Sequence, residues 1–257
     1  MIIRTIDMFE QTFELYHKHF RTIFSYSLLT LLPGIAGFML LAPLFFLSGI
    51  SFANDNRTFG YGSLILAAIS VIALLVLSVL ITTALFRVVA KFYTGKATGR
   101  MRKELRAVMP VMGTVILTNV IVSVLVVLGT VLFFIPGVLA GVYFGFAFYL
   151  AMIDGLQPID AMKRSISLVR GRFWQVLWLF FISTAVAIML IVVIQAVITS
   201  PFSYLTKDVS SLATLIALNS TLGVLQYLTI ILITPLAYIA QIIIFENAKS
   251  APLKTKS

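Results

Sequence analysis

The 257-residue chain contains no cysteine. Disulfides, thiolate nucleophiles and cysteine-ligated zinc are thereby excluded. Histidine is almost as scarce: His17 and His19 stand two positions apart on one helical segment. Residues at i and i+2 do not share a helix face, so the two make a poor metal pair. Charge is thin as well, at 11% of residues, against about 25% in a soluble domain. None of the nine acids or 19 bases falls in the middle of an apolar run. Ionisable groups inside a membrane mark proton relays and ion paths, so their absence argues against a proton-coupled pump or a selective ion channel. Neither a phosphate-binding loop nor a dinucleotide fingerprint occurs. No acid–base pair is visible, so no enzymatic activity, cofactor or metal is expected.

What the chain has is apolar length. Hydrophobic residues make up 60% of it, gathered in runs near or above ~18 residues, which ordinary core helices do not need. The expected fold is all-α: one integral-membrane domain over 1–257, a polytopic bundle of six spans with two or three amphipathic interfacial helices. The spans are placed at about 25–50, 62–86, 111–135, 137–153, 173–199 and 222–245. Net charge is +10. Basic loops on one side of a membrane explain that charge, and nucleic acid is not expected as a partner. The first twenty residues are charged and amphipathic, so a removed signal peptide is not expected.

Three amphipathic stretches each precede a pair of spans. In 1–21, Ile2, Ile6, Phe9, Phe13, Tyr16 and Phe20 fall on one face and Arg4, Asp7, Gln11, Glu14, Lys18 and Arg21 on the other. That helix either lies in the membrane interface or docks on the protein's own helices. The second stretch lies in a basic hub, 87–110, where seven Lys and Arg face Glu104 alone and Pro110 ends or kinks a short helix. The third, 157–172, starts at Pro158. It carries an apolar stripe of Ile159, Met162, Ile166, Val169 and Phe173, with Asp160 and Arg164 spaced for an ion pair. Kinks are expected at Pro33, Pro43 and Pro235. Loops are expected at 51–61 and 200–211, and disorder in the tail from Glu246. Of the 19 Lys and Arg, 17 lie in the N-terminal segment, 87–110, 154–172 and the tail. Arg57 and Lys207 are the other two, an asymmetry that puts both termini in the cytoplasm.

The stretch from Phe133 to Phe181 is the most distinctive. Pro136-Gly137 suggests a tight turn, and Gly137, Gly141 and Gly145 form a GxxxGxxxG stripe. Missing side chains let another helix approach, within the chain or, as the alternative, in a homodimer. On that basis Gly141→Ile should destabilise and Val142→Ile should not. Asp154-Gly155 reads as a turn, with Asp154 beside Arg164 and Arg170. Together with Pro136, Ala161, Arg164-Ser165, and Gly171 before Trp174, this pattern resembles the YciC-type six-span bacterial inner-membrane family. It is also similar to the membrane domain attached to some glycerophosphoryl diester phosphodiesterases. The resemblance implies a bacterial inner-membrane setting and an association with lipid metabolism, with no catalytic residue to carry over. The functional expectation is a non-enzymatic membrane protein that binds lipid, through anionic head groups, or organises a membrane-protein partner. The alternative is a transporter or permease for an uncharged or amphipathic solute, its path lined by Gln195, Gln226 or Gln241.

Overall fold

A segment that crosses hydrocarbon has no water for its N–H and C=O groups and must bond them within itself. Each long apolar run of this chain accordingly forms α-helix, and no strand occurs among the described residues. The computed structural model describes residues 2–54, 56–206 and 211–251. The helices are α1 (Thr5–Lys18), α2 (Phe20–Leu29), α3 (Leu31–Ala53), α4 (Arg57–Tyr93), α5 (Met101–Val108) and α6 (Met112–Leu132). They continue as α7 (Phe134–Phe144), α8 (Ala147–Ile153), α9 (Pro158–Val169), α10 (Phe173–Leu205) and α11 (Leu212–Ser250). Six segments are long and apolar enough to cross a membrane: α2–α3, α4, α5–α6, α7–α8, α10 and α11. The chain is an all-α, multi-pass membrane protein.

The helices pack as three successive hairpins, α3 on α4, α6 on α7 and α10 on α11. The amphipathic helices α1, α5 and α9 come before them in turn, in the threefold order expected from sequence. The hairpins meet at one end of the bundle. There α11 and α8 pack on α4, α8 packs on α6, and α1 lies along α11. The buried core is concentrated there, in Ala84–Phe86 and Val88–Ala90 of α4, Phe146–Ala147 and Tyr149–Met152 around α8, and Ile242–Phe245 of α11. This end also carries most of the Lys and Arg, and we call it the basic pole.

Several expectations need correction. Residues 51–61 are mostly helical, since α3 runs to Ala53 and α4 starts at Arg57. Asn56 caps α4 through its side chain, which accepts from the Phe59 N–H at 3.3 Å. α10 carries Pro201 inside its last turns, and residues 212–221 prolong the sixth span. At ~1.5 Å per residue, α4 (37 residues) and α11 (39 residues) are roughly 55–60 Å long, about twice the ~30 Å hydrocarbon thickness. Polar ends beyond the hydrocarbon therefore belong to the helices, and the tail is helical to Ser250. Lys207 and residues 252–257 lie outside the described residues. The first span breaks at Thr30, before Pro33, while Pro43 sits inside α3 without ending it.

The reversal between α6 and α7 falls at Phe133, in extended backbone, and not at Pro136-Gly137. Pro136 lies in the first turn of α7, where its missing N–H costs nothing. Gly137 is nonetheless where two backbones touch: a Cβ there would sit 2.7 Å from the Thr130 nitrogen. A Cβ on Gly129 would in turn meet the Gly137 Cα at 3.0 Å. The glycines do not form one stripe, because α7 ends at Phe144 and the chain breaks at Gly145–Phe146. Gly145 faces Phe180, whose Cε2 would lie 2.8 Å from a Cβ; Gly141 faces open space. Its neighbour Val142 is the buried residue.

Candidate functional site: the basic pole

α4 runs past the membrane core and ends at Tyr93, and α5 folds back against it. Glu104, the one acid in the hub, points inward and is almost fully buried. Lys91 Nζ donates to both of its carboxylate oxygens at 2.7 Å, and the Gly99 N–H donates to Oε1 at 2.8 Å. Arg87 completes the clasp by donating from a guanidinium nitrogen to the Ala107 carbonyl at 2.8 Å, at the C-terminal end of α5. Cations belong at that end of a helix, where carbonyls lack partners.

A second set of polar contacts ties both ends of the chain to the pole. The Tyr93 hydroxyl donates to Gln11 Oε1 of α1 at 3.3 Å and accepts from Asn247 Nδ2 of α11 at 2.8 Å. Lys249 donates to Asp154 at 2.6 Å, and Arg172 donates to the Ala251 carbonyl at 3.3 Å. Asp154 therefore pairs with α11 and not with Arg164 or Arg170. Asp160 and Arg164 do not pair either: among the described residues the ion pairs are Arg4–Asp7, Lys91–Glu104 and Lys249–Asp154. His19 stacks on Phe92 with ring centroids 3.8 Å apart. Burial there, with the charge of Lys18 second, holds its imidazole below the usual histidine range.

Between α4, α8 and α11 is a cavity of about 240 Å³, lined by Arg87, Lys91, Lys96, Asp154, Glu246 and Lys249. Four cations suggest an anion trap, but the balance of charge says otherwise. Asp154, Glu246 and the neighbouring Glu104 offset three of them. The C-terminal ends of α4, α8 and α11 also converge there, each carrying up to about half a negative charge. The cavity is close to neutral. Its cations serve the helix ends, and the surplus positive charge lies outside it, on α5 and α9.

α9 presents a buried face of Pro158, Ala161, Ser165, Leu168 and Val169. Ile159 and Ile166, expected in the stripe, are exposed. Ser165 has a specific task. At the break between α7 and α8 its hydroxyl donates to the Tyr143 carbonyl at 2.7 Å and accepts from the Phe146 N–H at 3.2 Å. Two backbone groups freed by the break are thus satisfied inside the core. Arg164, one position earlier, is exposed. Gly155 and Gly171 follow the ends of α8 and α9 with φ of +69° and +79°, a region that glycine enters without cost. Trp174 opens α10 and is exposed, as is Trp178.

α1 docks on the protein's own helices, along α11. Met8 and Thr12 are buried, and the Tyr16 hydroxyl donates to the Leu232 carbonyl of α11 at 2.8 Å, in the turn that precedes Pro235; α11 continues through that proline. Ile6 and Phe13 remain outward. Of the intramembrane amides, Gln241 accepts from the Tyr149 hydroxyl at 2.7 Å and Gln226 donates to Thr199 at 3.1 Å. Both are helix-to-helix bonds. Comparison with protein-family models, curated proteins and solved structures finds no match.

Proposed function

We propose that this is a non-enzymatic protein of a bacterial inner membrane that holds anionic lipid head groups at its basic pole. Both termini and the pole face the cytoplasm in this reading, following the Lys and Arg asymmetry. One observation carries it: Glu104 and Asp154 are spent on internal pairs while Arg100, Arg102, Lys103, Arg106, Lys163 and Arg164 stay exposed. Near an anionic leaflet each such residue contributes ~1 kcal/mol of attraction. The likeness to the YciC-type family points the same way, on the residues from Pro136 to Trp174. The permease alternative needs free amides along a path; Gln241 and Gln226 are committed to other helices, which leaves half-buried Gln195 on α10 as its one support. The test is the melting temperature in nanodiscs of phosphatidylcholine, alone or mixed with phosphatidylglycerol. Anionic lipid should raise it, and salt should remove the gain. Equal melting in both lipids contradicts the proposal.

A further inference from the structure

We infer that α5 is the element that lies on the anionic leaflet, and this rests on the lipid-binding reading above. α5 has two faces of opposite kind. Glu104 and Val108 are buried, and Met101 and Leu105 are half-buried against the bundle. Arg102, Lys103 and Arg106 are exposed, and none pairs with an acid among the described residues. The only acid of the helix is clasped by Lys91 and the Gly99 N–H, so the outer face is purely cationic. Arg102 and Lys103 flank the first turn that also holds the buried Glu104, and Arg106 stands in the last turn. An anionic leaflet complements such a cationic face. Met109, just beyond α5, is 61% exposed and completes the face with an apolar side chain at the foot of α6. A short helix with a cationic outer face and apolar flanks suits the head-group boundary of the protein's own membrane.

The cysteine-free chain allows a direct test. Met109→Cys in the full chain is spin-labelled, and its depth is read in nanodiscs of phosphatidylcholine, alone or mixed with phosphatidylglycerol. The label should sit deeper on anionic lipid and return in high salt. The Arg102→Gln/Lys103→Gln/Arg106→Gln variant should lose the shift. At about fivefold per charge, its preference for anionic over neutral lipid in a competition assay should fall roughly a hundredfold. Unchanged melting in neutral lipid shows that it is folded. A variant that keeps the parent's shift and preference overturns the inference. If Lys163→Gln/Arg164→Gln/Arg170→Gln then loses the preference, the pole still binds lipid but through α9. A label that moves only with added polyglutamate indicates an acidic protein partner and also overturns it. Failure of the parent to prefer anionic lipid sinks both readings together.

Discussion

The two parts of α4 behave as different materials, although both are rich in apolar residues. From Ile81 to Ala90 nearly every residue is buried, Thr83, Leu85, Phe86, Val88 and Val89 among them. From Arg57 to Leu80, Gly60, Ser63 and Ala67 are the buried ones, and Ile65, Ile69, Ile72 and Leu75 lie exposed. α11 repeats the contrast: Ile242–Phe245 is core, whereas Ile216, Val224 and Tyr227 face outward. Lipid tails are as apolar as leucine, so hydrophobicity places a helix in the membrane but does not press it against a neighbour. Contact comes instead from aromatic packing, from glycines that let backbones meet and from shared hydrogen bonds. The aromatic packing gathers at the basic pole, where Phe86 packs with Phe148, Tyr149 and Tyr238, and Phe146 packs with Phe180 and Phe245. Stability should therefore reside at the pole.

Paired substitutions test that difference, all read as unfolding free energy in neutral-lipid nanodiscs. The largest effect is expected at Phe146, fully buried, where Phe146→Ala should cost ~3–5 kcal/mol. Phe38→Ala, at a site 78% exposed on α3, should stay within about 0.5 kcal/mol. Equal losses would erase the distinction between the halves. Next comes Glu104→Ala, which strips Lys91 and the Gly99 N–H of their acceptor and should cost ~1–3 kcal/mol. Asp7→Ala breaks an exposed i,i+3 pair with Arg4 and should have no measurable effect. Ser165→Ala should also cost ~1–3 kcal/mol, since it leaves two backbone groups of the buried break unpaired. Ser203→Ala, whose hydroxyl only returns to its own helix, is the comparison.

A smaller effect reverses the expectation from the glycine pattern. Val142→Ile adds a methylene at a site 5% exposed and should cost ~1 kcal/mol or more. Gly141→Ile enters open space and should be close to neutral. The smallest effect concerns pH. His19 is held below its usual range, so the folded state favours the neutral imidazole. Its contribution is complete above the unfolded value of about 6.5 and declines as pH falls through that value toward the lower folded one. His19→Phe should flatten this slope slightly, and an unchanged slope would mean that the Phe92 stack does not affect the titration.

The six apolar runs and the three amphipathic segments were legible because a membrane forces helix on any long apolar stretch and confines charge to its ends. Helix ends were not, since Pro136 is welcome in a first turn and Asn54 and Asn56 can cap helices that outgrow the hydrocarbon. The face of α9 was misread at two of its five positions, while Val169 is buried and Met162 and Phe173 pack on the core. Ile159 and Ile166 lie on the side turned away from the bundle, while Ala161 and Ser165 join Leu168 and Val169 on the protein side. Asp154 and Lys249 are 95 positions apart, and Gln241 and Tyr149 are 92 apart. No local spacing announces such pairs. Ser165 could have been found: a lone hydroxyl within an otherwise apolar face signals a backbone partner nearby.

The central claim is that α4 changes from lipid-facing to core along its own length, and oxygen accessibility of single spin labels measures this most directly. Ile65→Cys, Ile72→Cys, Leu85→Cys and Val89→Cys are each labelled in nanodiscs. High collision rates with lipid-dissolved oxygen are expected at 65 and 72, with low rates and an immobilised label at 85 and 89. Comparable accessibility at all four positions would contradict the claim.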